Sequence, residues 1–152
     1  MTFHDAPRND RNWGSEGAIF SLHRYFVWAN QMRVHFDDVL FESPNGGEPG
    51  HIGTFLYMSY WYAGLYVVVE GWRELELSDA VLDGLLECPN VDLLRRYRNG
   101  VFHYKREYFD KRFMEFMNAG EQIVTWCREL NSQFGRFFLQ WYQEQEKSTD
   151  AI

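Results

Sequence analysis

Between Ile19 and Leu40 the apolar residues Ile19, Leu22, Phe26, Ala29, Met32, Phe36 and Leu40 recur in steps of three and four. That period predicts one long amphipathic helix with a single buried stripe. The helix must stop at ESPNGGEPG, residues 42–50, where prolines and glycines make a turn-rich connection. The next run, from Thr54 to Leu77, is apolar nearly all round until Glu70, the pattern of a central helix contacted from several sides. Ser78-Asp79 can cap a short helix ending near Glu87, and Pro89-Asn90 then restarts the chain, with Asn90 expected as N-cap and Asp92 in the favourable first turn. In the third long helix Leu94, Tyr97, Val101, Tyr104 and Tyr108 form one stripe expected to face the other helices. After DKRFMEF, Asn118 and Glu121 stand three apart in a box-like cap before a fourth helix marked by Ile123, Trp126, Leu130, Phe134, Phe137 and Trp141. No repeat is visible, and no segment combines β-branched alternation with hairpin turns. The expected architecture is all-α: a single up-and-down bundle of about four main helices plus a short connecting helix. It would occupy residues 15–147, between a flexible N-terminal segment (1–14) and a flexible C-terminal tail (148–152).

Composition supports one packed domain, since 152 residues with 45% hydrophobic and 18% aromatic content can bury a sizeable core. The tract FLYMSYWYAGLYVVV, residues 55–69, invites a membrane reading, but it falls short of about 20 residues and carries tyrosines throughout. It reads as bundle core, with no membrane partner expected. MTFHDAPRNDRNWGSEG lacks the apolar core of a signal peptide. Cys88 and Cys127 stand far apart without a second pair, so neither a zinc knuckle nor a disulfide framework is suggested, and a reducing cytoplasm is the expected location.

Charge changes the picture more. The chain carries a net −7, yet residues 95–112 hold seven basic side chains and two acidic ones, a local +5 that leaves −12 for the rest. The stretch opens with RRYRNGVFHYKR, residues 95–106. At about 100° per residue Arg98 and His103 lie about 140° apart and flank the outer face of the third helix. Arg95, Arg96, Asn99, Phe102 and Arg106 fall between them. Asn99 stands one turn before His103, where its amide can hydrogen-bond an imidazole and help select its tautomer. Such an inventory is sufficient for cleaving RNA without metal: a His can move the proton of a 2′-hydroxyl, and an Arg can stabilise charge on the phosphoryl oxygens. The plainer alternative is a basic solvated helix face with an incidental His.

Arg98-Asn99-Gly100-Val101-Phe102-His103 resembles the signature of the HEPN (higher eukaryotes and prokaryotes nucleotide-binding) superfamily: an Arg, a polar residue, and a His four to six positions after the Arg. The resemblance implies an all-helical fold on a four-helix core and, for many members, metal-independent endoribonuclease activity in a cleft between two subunits. It makes Arg98 and His103 the catalytic pair, Asn99 the supporting polar residue, and Arg95, Arg96, Lys105 and Arg106 the RNA-binding cations. No cofactor is expected. The implied partners are RNA and a second copy of the chain, with an antitoxin or nucleotidyltransferase as the partner of a toxin or defence nuclease. Members silenced by nucleotide attachment carry a Tyr two residues after the His, where this chain has Lys105. Gly100, a poor helix former, suggests that another helix or a ligand approaches closely, or that the helix begins late.

Two other classes were open to the sequence. His23, His35, Asp37, Asp38, Glu70, Glu74 and Glu76 invite a metal-bundle reading, but no Glu-x-x-His pair occurs, so no metal is expected and the acids read as solvated faces. A non-catalytic nucleotide- or protein-binding module, using Phe102, exposed aromatics and the arginines, is the alternative to the enzyme.

Overall fold

The computed structural model describes residues 14–42 and 52–150. Most of the N-terminal segment expected to be flexible (1–13), most of the turn-rich connection (43–50) with residue 51, and the end of the tail (151–152) lie outside the described residues. The described residues form an all-α bundle of six helices: α1 (Gly14–Glu42), α2 (Ile52–Glu74), α3 (Ala80–Leu86), α4 (Asn90–Phe102), α5 (Lys111–Asn118) and α6 (Glu121–Asp150). Four are the main helices read from the apolar period, and α3 is the expected short connector. The additional helix, α5, starts where the Asp110 carboxylate accepts a hydrogen bond from the Arg112 N–H at 3.0 Å.

The α1 stripe is the buried one, with Leu22, Phe26, Ala29 and Phe36 inside. α2 is the core of the bundle: Trp61, Tyr62, Ala63, Leu65, Tyr66, Val68, Val69 and Trp72 are all buried. Two glycines let α1 lie close against it. A Cβ on Gly64 would stand 3.1 Å from the Ala29 Cβ, and one on Gly71 only 2.4 Å from Leu22 Cδ1. Asp79 caps α3 as expected, its carboxylate accepting from the Val81 and Leu82 N–H groups at 3.1 Å each. Asn90 does not cap α4. It is the first helical residue, Pro89 takes the cap position, and no side-chain cap bond forms.

The stripe expected along the third long helix is only partly buried, for a specific reason. Leu94 and Tyr97 are inside and Val101 is partly covered, but α4 ends at Phe102, so Tyr104 and Tyr108 never join the stripe and are 91% and 88% exposed. α5 packs back against α4 at Gly100. The Phe113 ring of α5 lies over it, and a Cβ there would meet Phe113 Cε1 and Cζ at 2.9 Å. Phe113 and Phe116 of the same helix pack against the Tyr97 ring, with centroids 5.4 and 4.7 Å away. Burying those two rings favours an early stop over another turn of α4, whose next residues are His, Tyr, Lys and Arg.

Polar groups tie the helices together. Asn131 of α6 is 5% exposed; its Oδ1 accepts from the Trp61 indole N–H at 3.0 Å, and its Nδ2 donates to Asn30 Oδ1 at 3.0 Å. Asp37 accepts from Arg33 at 2.7 Å and from Arg128 at 2.6 Å, bridging α1 to α6. Tyr62 differs: its hydroxyl is buried with no partner among the described residues, and burial raises its pKa. Near the far end of the bundle, His23 Nδ1 stands 3.0 Å from the Tyr142 hydroxyl, and its ring packs against Phe138 and Tyr142. Desolvation there lowers the His23 pKa.

Two outcomes follow for stability. Asn131→Ala should cost about 1–3 kcal/mol by stranding the Trp61 N–H, whereas Tyr62→Phe should be neutral or stabilising because it removes an unpaired hydroxyl. Urea midpoints of the two variants against wild type check this, and a large loss for Tyr62→Phe would mean that the hydroxyl has a partner. The second outcome concerns acid. The unfolded chain protonates His23 near the ordinary value of 6.5 and the folded chain only at lower pH. In that window the unfolded state binds more protons, so stability falls as pH drops below 6.5 and is unaffected by this group above it. His23→Gln should flatten that part of the profile, measured as the change in midpoint between about pH 7.5 and about pH 5.5.

Candidate functional site

The residues singled out in the sequence are held by the last two turns of α4 and the loop that follows. Arg98 leaves α4 towards α2, where its guanidinium lies over the Tyr66 ring, 5.1 Å from the centroid, and its Nη2 donates to Glu70 Oε1. Its side chain is 21% exposed against 44% for Glu70, so the pair sits at the surface and contributes at most about 1 kcal/mol to stability. Arg98 Nε is buried without a hydrogen-bond partner among the described residues. The geometry anchors the guanidinium over an aromatic ring while the side chain stays partly exposed. An anion reaching it competes with Glu70.

His103 occupies the C-cap position. Its backbone is extended at φ −119 and ψ 126, its N–H donates to the Asn99 carbonyl at 3.2 Å, and its side chain is exposed. Because the helix has already ended, the angle of about 140° expected for continuous helix no longer relates Arg98 to His103. Asn99 meets His103 through the backbone, and among the described residues its amide makes no side-chain hydrogen bond to the imidazole. The exposed imidazole can exchange protons with a ligand in solution. The Arg98 charge is already balanced within the chain.

The cations sort into two groups. Arg95 is held by Asp92 at 2.6 Å, Arg96 by Glu115 of α5 at 2.7 Å and Arg112 by Asp110 at 3.2 Å. The Asp92 bond and charge raise the Arg95 pKa, and the Arg112 N–H and guanidinium lower that of Asp110. Lys105, Arg106 and Lys111 make no ion pair among the described residues. Of the four expected RNA-binding cations, therefore, Lys105 and Arg106 keep an unbalanced charge, while Arg95 and Arg96 are engaged along or between helices.

Beside this segment lies an open apolar groove of about 470 Å³ between α1 and α2, lined by Tyr25, Trp28, Met32, Tyr60, Val67 and Phe102. Phe102 closes one side, with its ring 6.2 Å from that of Tyr60. Trp28 is 56% exposed, with the Arg24 guanidinium 5.4 Å from its ring. The groove, Glu70 and Tyr66 escape a reading of α4 alone. Glu70 looked like one more solvated acid because its partner is 28 positions away and the relative rotation of α2 and α4 leaves no local signal.

Among the described residues no group of three or more His, Cys, Asp and Glu side chains could hold a metal ion. His23 is bonded to Tyr142, and His35 lies 3.3 Å from the Gln31 amide. Cys127 is a buried core residue, and desolvation raises its thiol pKa. No described helix is long and apolar enough to cross a membrane. Compared with protein-family models, curated proteins and solved structures, the chain matches none of them.

Proposed function

We propose that the chain is a HEPN-like, metal-independent endoribonuclease of toxin or defence type that acts as a homodimer, an antitoxin or nucleotidyltransferase being its regulatory partner. The observation that carries the reading is the exposed His103 at the end of α4, directly after Phe102 on the rim of the apolar groove. A second copy seated symmetrically on the groove would cover Trp28, Tyr60 and Phe102 and bring a second Arg98 and His103 beside the first, since a two-fold interface uses the same patch on both subunits. In the cleft so formed, one His103 would take the proton of the 2′-hydroxyl. The oxygen would then attack phosphorus, the bond from phosphorus to the 5′-oxygen would break, and the second imidazole would return a proton to the leaving oxygen. Arg98, held by Glu70 over the Tyr66 ring, would offer its guanidinium to the phosphoryl oxygens.

A non-catalytic interaction module is the second reading, favoured by the Arg98–Glu70 pair. A balanced guanidinium beside an apolar groove also suits a protein partner.

Three measurements test the proposal. His103→Gln and Arg98→Ala should each lower RNA cleavage by about 100-fold or more with unchanged helicity. Equal cleavage by wild type and His103→Gln, or none by wild type across varied RNAs, leaves the interaction module in place. Cleavage should survive chelation and stop when the scissile nucleotide is 2′-deoxy, whereas dependence on added divalent metal would sink the His103 mechanism. Wild type should sediment as a dimer and Trp28→Glu or Phe102→Glu as a folded monomer, because both side chains are about half exposed in the single chain. A dimer indifferent to both changes would put the interface elsewhere.

A further inference from the structure

The loop between α4 and α5 has a composition that the fold does not require. From His103 to Asp110 it reads HYKREYFD, and three of its eight residues are large aromatics turned to solvent: Tyr104 is 91% exposed, Tyr108 88% and Phe109 73%. The Tyr108 and Phe109 rings touch only edge to face, 5.0 Å between centroids. A connection of this length needs no aromatic, and exposing three of them gains the single chain nothing by burial. Between and beside them stand Lys105, Arg106 and Lys111, the cations of the basic segment without an ion pair among the described residues. Of the two acids in the loop, Asp110 is engaged by the α5 N-terminus and Arg112, and the exposed Glu107 leaves Lys105, Arg106 and Lys111 in excess by two charges.

Flat apolar faces interleaved with unbalanced cations suit a ligand that is both anionic and built of stacked planar rings. Single-stranded nucleic acid has those properties, and a duplex does not offer them, because its base faces are stacked on one another. An acidic protein surface would satisfy the lysines and arginine but not the three exposed rings beside them. A second copy of the chain would more readily cover the contiguous groove at Trp28 and Tyr60 than this loop.

We infer that the His103–Asp110 loop is a stacking site for unpaired RNA, with Tyr104, Tyr108 and Phe109 taking base faces and Lys105, Arg106 and Lys111 following the phosphates. The inference rests on the ribonuclease reading and narrows it: the substrate class is unstructured RNA, and its register is set by base stacking in the loop that begins at His103. The same residues exclude double-stranded RNA as the preferred ligand.

The test separates binding from cleavage. A fluorescein-labelled, unstructured oligoribonucleotide, 2′-O-methylated throughout so that it cannot be cut, is titrated with the full chain, and so is the same strand annealed to its complement. Anisotropy is read at several salt concentrations. The single strand should bind tighter than the duplex by about tenfold or more. Tyr104→Ala, Tyr108→Ala and Phe109→Ala should each weaken binding about tenfold while leaving its salt dependence unchanged. Lys105→Gln with Arg106→Gln should reduce the slope of log affinity against log salt by about 1.4. All three aromatics are exposed, so circular dichroism should be that of wild type. Absence of binding, equal binding of strand and duplex, or aromatic variants that bind like wild type would overturn the inference. So would aromatic variants that change only the sedimentation coefficient, which would make the loop a contact between copies. Strand binding that depends on the aromatics, together with no cleavage of ordinary RNA, upholds the stacking site and removes the nuclease. Cleavage with no such binding does the reverse.

Discussion

Three buried indoles constrain how the helices of this bundle can be arranged. Trp61 and Trp72 of α2 and Trp126 of α6 are large enough to dominate the core, but each carries an N–H that is costly to bury without an acceptor. Trp61 finds Asn131 on α6 at 3.0 Å, Trp72 finds Asp83 on α3 at 3.3 Å, and Trp126 finds the Leu85 carbonyl of α3 at 3.2 Å. These bonds fix the register of α2, α3 and α6 against one another, which apolar packing alone leaves loose. Once α2 is fixed, the glycines facing α1 set that helix close. The remaining flank of α2 receives Tyr97 on α4, whose hydroxyl lies 2.9 Å from Ser59.

That placement decides what happens to the concentrated positive charge. A segment of +5 in a protein of −7 looks like a ready anion site, yet the fold spends much of it internally. Arg98 goes to α2, Arg96 to α5, and Arg95 stays on its own helix with Asp92. The remaining field is displaced along the chain, from the helix face to the loop beyond it, where Lys105, Arg106 and Lys111 make no ion pair among the described residues. Local charge counts measure how much field exists, and tertiary pairing determines where it emerges.

The same displacement separates two surfaces that the sequence merges into one outer face. The groove at Trp28, Tyr60 and Phe102 is contiguous and apolar and suits another folded surface. The loop after His103 is aromatic and, with Lys111 beside it and Asp110 engaged by Arg112, carries more cations than free acids, which suits a flexible anionic strand. His103 stands at their junction, so a single exposed imidazole is adjacent to both a surface for assembly and a surface for substrate. The two demands do not compete for the same residues, apart from Phe102 next to that junction.

The helices were legible because their signals are local. Steps of three and four from Ile19 to Leu40 and from Ile123 to Phe134 mark stripes that are buried or partly buried in the fold, and Asp79 caps α3 through neighbours two and three residues away. The charge concentration at 95–112 was equally plain. The end of α4 was not, because Tyr104 and Tyr108 continue the apolar period past Phe102, and periodicity is indifferent to whether a helix still exists. Its end goes with the packing of Phe113 over Gly100, a contact between two helices. The partner of Arg98 was hidden for the same reason: whether Glu70 faces solvent or a guanidinium depends on how α2 and α4 are rotated about their axes. The sequence by itself determined where α1, α2, α3 and α6 lie and which stripe α1 and α6 bury, since these follow from bonds and contacts within a turn or two. Only the tertiary structure decided where α4 ends, which cations keep their charge and which aromatics face water, because those outcomes are set by packing between segments far apart in the chain.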